Sequence, residues 1–78
     1  MTRDDLMDYV VEALRELGGE GSVLEVSKVV WRRHRTEIES SEKLLYTWQY
    51  DLRWAATKLR KRRRLAENGR GEPWRLIH

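Results

Sequence analysis

At 78 residues, with no Cys and two widely separated His, the chain has room for one domain and excludes a disulfide framework and a thiolate zinc site. Four Trp, three Tyr and a 40% hydrophobic fraction suffice for an unstapled core, while apolar runs of only a few residues and an acidic amino terminus argue against a membrane span and a signal peptide. The net charge of +3 conceals an asymmetry, because residues 1–30 hold seven acids against three bases and residues 52–78 hold nine bases against two acids.

Leu6, Val10, Ala13, Leu14 and Leu17 recur at the three- and four-residue spacing of a helix face, with Asp5, Asp8, Glu12 and Glu16 as a separate acidic stripe. A helix over 3–17 is predicted, opened by Thr2 with Asp5 and stopped by Gly18 and Gly19. Ser22 with Glu25 is a second capping-box pattern, and Val23, Val26 and Val30 give the following helix, 22–34, its buried side. Residues 35–44 are mainly polar and read as a connector, with Ser40 and Ser41 in a loop or capping a turn. A third helix, 45–62, buries Leu45, Trp48, Leu52, Ala55, Ala56 and Leu59 and presents Tyr46, Tyr50, Arg53, Trp54, Thr57 and Lys61 on its opposite face. Leu65 with Ala66 and residues 74–77 flank the turn chemistry of residues 68–71, which predicts a β-hairpin over 65–77 with Pro73 at the edge or start of its last strand.

Three helices followed by a C-terminal hairpin define the expected class: an α+β winged helix-turn-helix with a β-hairpin wing, filling residues 1–78 as one domain. The stretch LYTWQYDLRWAA at 45–56, followed by Leu59, Arg60 and Lys61, with Leu14, Gly18, Gly19, Ser22 and Val23 upstream, resembles the amino-terminal winged-helix domain of Mrr-type restriction systems and small stand-alone bacterial proteins built on that module. The resemblance implies a third helix presented to DNA and a Gly ending that helix before a short apolar strand. This chain departs from the pattern there, with Arg63 and Arg64 in those places.

The candidate site follows from charge and position. Residues 58–64 carry six positive charges and no acid, so Lys58, Arg60, Lys61, Arg62, Arg63 and Arg64, with Arg70 at the hairpin tip, are expected to grip phosphates without sequence preference. Tyr46, Gln49, Tyr50, Arg53 and Thr57 lie at or near the exposed side of the third helix, where side chains meet base edges or backbone in a major groove. Arg53 is the candidate for reading guanine, the alternative being an ion pair with Asp51 or a connector Glu. Trp54 is expected to pack on the wing or the connector, Trp48 and Trp74 in the core, and Trp31 either in the core or in a partner-binding patch. His34, among three Arg, reads as a surface residue, and the acidic stripe as a face kept off DNA.

The expected function is double-stranded DNA binding by a small non-enzymatic, cytoplasmic protein, a transcriptional regulator or nucleoid-associated factor. No catalytic set, metal or cofactor is expected, and the partner is duplex DNA. A second copy of the chain or a larger protein remains open as a further partner, and the alternative function is a winged helix that binds protein and not DNA.

Overall fold

The computed structural model describes residues 2–69 and 71–77. Helix α1, Asp5–Glu16, follows a turn in which the Thr2 N–H donates to the Asp5 carboxylate at 2.8 Å; its N-cap is Asp4, whose side chain makes no cap hydrogen bond, so the expected Thr2 cap is displaced by two residues. It buries Leu6, Met7, Val10, Val11, Ala13 and Leu14. The helix closes in a Schellman motif: the Gly19 N–H reaches Leu14 O at 2.7 Å and the Gly18 N–H reaches Arg15 O at 3.2 Å, with Gly18 at φ 87°.

Helix α2, Val23–Ser40, starts on a complete capping box, with the Glu25 N–H on Ser22 Oγ at 3.1 Å and the Ser22 N–H on Glu25 Oε1 at 2.9 Å. It runs six residues beyond the expected end at 34, so most of the segment read as a connector is helical. The reason is tertiary. His34 departs from helical geometry at φ −125°, ψ 20°, and the bent second half brings Ile38 into the core at 0% exposure. The same half is supported by an Arg35–Glu39 ion pair at 2.8 Å, one turn apart.

A single residue, Ser41, separates α2 from α3, Glu42–Lys61, which therefore starts three residues before the expected 45. Leu44 is buried and Leu45 only half-buried, so the inner face reads Leu44, Trp48, Leu52, Ala55, Ala56 and Leu59. The end of α3 repeats the α1 motif, with the Arg64 N–H on Leu59 O at 2.9 Å and the Arg63 N–H on Arg60 O at 3.0 Å. Here the left-handed position falls to Arg63, at φ 59°, the one non-glycine residue with positive φ among the described residues.

The expected hairpin over 65–77 is reduced to a single Leu65–Leu76 bridge, flanked by the Ala66 N–H on Arg75 O at 2.9 Å and the Ile77 N–H on Arg64 O at 3.0 Å. The regular pairing is made elsewhere: β1, Glu20–Gly21, runs antiparallel to β2, Trp74–Arg75, with Glu20 opposite Arg75 and Gly21 opposite Trp74. The last strand thus lies between the α1–α2 link and the segment after α3. Two residues after a Gly pair carry no alternating pattern, so β1 has no sequence signature. The layout is α+β, with Leu65 and Trp74 from the sheet side joining the three-helix core. Among the described residues no helix is long and apolar enough to cross a membrane.

Candidate functional site

The face of α3 turned away from the core carries the expected binding residues. Tyr46 and Tyr50 are 83% and 76% exposed, and Gln49, Arg53 and Thr57 are exposed beside them. Gln49, Tyr50 and Arg53 line one groove with Val23 and Ser27, which brings the start of α2 alongside the middle of α3. Arg53 makes no ion pair among the described residues. Asp51, its expected rival partner, is instead turned inward, 7% exposed, and accepts a hydrogen bond from the Thr47 hydroxyl at 2.8 Å.

The basic run does not form one patch. Consecutive helical residues diverge by about 100°, and the left-handed turn at Arg63 diverts the chain again. Lys58 leans toward Trp54, its Nζ 5.8 Å from the ring centroid. Arg60, half-buried with an unpartnered Nε, lines a groove with Ser22, Val23, Leu24, Asn68, Gly69 and Glu72. Arg64 borders a groove with Asp8, Glu12 and Glu16 of α1, while Lys61, Arg62 and Arg63 are exposed. Arg70 lies outside the described residues. What unites the others is the absence of partners: among the described residues, no acid lies within ion-pair distance of Arg53, Lys58, Arg60, Lys61, Arg62, Arg63 or Arg64.

The arginines of α2 behave oppositely. Arg32 pairs with Glu16, Arg33 with both Glu12 and Glu16 at 3.1 and 3.2 Å, and Arg35 with Glu39. His34, expected at the surface, is only 15% exposed; its Nε2–H donates to Glu12 at 2.6 Å, and its ring stacks on Tyr9 with centroids 3.5 Å apart. The His34 hydrogen bond, reinforced by Arg33, holds the Glu12 carboxyl below the ordinary glutamate value against the opposing effect of burial. Burial, and then the carboxylates of Asp5, Glu37, Glu12 and Asp8, push the Tyr9 phenol up. The four-residue ridge of Val26, Val30, His34 and Ile38 was the available sequence signal for this inward histidine. The second half of the acidic stripe, Glu12 and Glu16, is therefore a seam between α1 and α2.

Trp54 packs on neither the hairpin nor the connector: it is half-buried under the Arg3 guanidinium, 3.9 Å from the ring centroid, because α3 places it toward the start of α1. Trp31 stacks on Trp48 with centroids 5.6 Å apart, and together with Leu24 they line a shallow groove between α2 and α3. Among the described residues, no three His, Asp or Glu side chains converge as a metal site requires. Comparison with family models, with curated proteins and with solved structures finds no match for this chain.

Proposed function

We propose that the protein is a winged helix that binds double-stranded DNA without catalysing a reaction, α3 entering the major groove and the basic helix end with the segment beyond it holding the backbone. The role is that of a transcriptional regulator or nucleoid-associated factor resembling the DNA-binding module of Mrr-type systems. The observation that carries this reading is the contrast in charge pairing. The arginines of α2 are matched by glutamates, whereas the seven basic residues from Arg53 to Arg64 have no acidic partner among the described residues. Unmatched cations on a helix end repel one another and are stabilised by a polyanion, whose condensed counterions they displace.

The test is a titration with labelled random duplex over a range of salt. If four to six phosphates are neutralised, the slope of log K against log salt is about −4 to −5, at about −0.9 per phosphate. Absence of binding at low salt, or a binding constant indifferent to salt, overturns the proposal. The second reading, a protein-binding winged helix, is favoured by the Leu24, Trp31 and Trp48 groove, since Leu24 is 64% exposed. Among its other expected contacts, Trp54 is engaged by Arg3, and Glu12 and Glu16 of the acidic stripe by α2.

A further inference from the structure

Five of the seven aromatic side chains have partners inside the molecule. Tyr9 lies on His34, Trp31 on Trp48, Trp54 under Arg3, and Trp74 in the core. Tyr46 and Tyr50 are the exceptions. Both are more than three-quarters exposed, neither packs against the core, and neither hydroxyl is hydrogen-bonded within the described residues. They stand one turn apart on one face of α3, about 6 Å between Cβ atoms, which approaches the ~7 Å that one base occupies between two rings at a 3.4 Å stacking distance.

The surroundings suit a nucleic-acid strand. Tyr50 separates two grooves, one containing Gln49 and Arg53 and the other Arg3, Lys43 and Thr47. The acid in the second groove, Asp51, is buried and bonded to Thr47. Cations thus flank the Tyr50 ring on both sides, as a stacking platform following a phosphate backbone requires. Paired bases in a major groove offer edges, which reward hydrogen-bond donors and acceptors, whereas a phenol ring offers chiefly a face. Base faces become accessible only where pairs are open. From Tyr46 to Lys61 the helix rises about 22 Å at 1.5 Å per residue, so its aromatic beginning and basic end meet different parts of a ligand.

We infer that Tyr46 and Tyr50 form a stacking platform for unpaired bases, so that the ligand is duplex DNA adjoining an opened stretch, the duplex held by the basic end of α3. This rests on the DNA-binding reading and adds the class of DNA. The experiment compares the whole chain binding a fully paired labelled duplex and the same duplex with an internal run of mismatched thymines, at one salt concentration. The opened probe is expected to bind about ten-fold or more tightly, the effect of stacking at least one base. Tyr46→Ala with Tyr50→Ala brings the ratio of the two affinities to about one, whatever it does to the paired duplex alone, whereas Tyr46→Phe with Tyr50→Phe retains the preference, because the ring and not the hydroxyl acts. Equal affinity of the wild-type chain for both probes overturns the inference while sustaining duplex binding; so does loss of the preference in the Phe variant. If neither probe binds at low salt, the DNA-binding reading fails as well.

Discussion

Arg63→Gly tests whether the end of α3 is held in a conformation that its sequence disfavours. Helices α1 and α3 close with the same pair of Schellman hydrogen bonds, but the left-handed position is Gly18 at φ 87° in one and Arg63 at φ 59° in the other. A side chain there costs about 1–2 kcal/mol through its Cβ, part of which Gly returns through its greater freedom in the unfolded chain. Arg63→Gly is expected to be about 1 kcal/mol more stable than Arg63→Ala, which removes the same charge near the helix dipole but keeps the strain. In a domain of this size that difference raises the melting midpoint by about 4–8 °C, readable by circular dichroism with urea unfolding as a check. Gly18→Ala provides the mirror experiment. Beyond its own chain neighbours no atom lies within 4 Å of the added Cβ, so its expected loss of about 1 kcal/mol is backbone strain alone. Should Arg63→Gly prove no more stable than Arg63→Ala, the left-handed turn is not a source of strain and the reasoning fails. On the proposed function the stabilised Gly variant also reduces the steepness of the salt dependence by about one phosphate, an exchange of binding for stability.

Leu52 is fully buried at the centre of α3, so Leu52→Ala is expected to cost about 2–5 kcal/mol in chemical denaturation; an unchanged midpoint would mean that its environment is not close-packed. Because folding lowers the Glu12 pKa, its stabilising contribution is present above the ordinary glutamate value of 4.5 and is lost as pH falls through the lower folded value. Glu12→Gln should therefore flatten the acid limb of a stability–pH curve, and an unaltered limb would remove the α1–α2 seam from the account. Arg53→Ala is expected to reduce discrimination among duplex sequences by about 1–3 kcal/mol, whereas Arg62→Ala weakens all sequences alike; equal weakening by both variants in competition binding would assign Arg53 to the backbone.

Much of the molecule was legible without coordinates, for local reasons. Ser22 and Glu25 form their reciprocal cap between groups three residues apart, and Gly18 stops α1 because it alone among neighbouring types accepts positive φ freely. Leu6, Val10, Leu14, Val26, Val30, Leu52, Ala55 and Leu59 all lie in the core, as expected from helical spacing, together with Trp48 and Trp74. Tyr46, Gln49, Tyr50, Arg53 and Thr57 emerge exposed because the same rotation that buries one side of α3 presents the other.

Tertiary packing decided the rest. The polar segment 35–40 became helix because the bend at His34 lets Ile38 reach the core, a gain outweighing the weak local pattern. The long-range pairing of β2 with Glu20 and Gly21 depended on where α1 and α2 bring that link. His34 and Trp54 found Glu12 and Arg3 across helix interfaces, at sequence separations over which spacing rules say nothing. The basic run shows the same division. Its charge is a property of the sequence, but Arg60 turns toward the start of α2 and Arg64 toward the carboxylates of α1, since only the path of the chain in space assigns a direction to each residue.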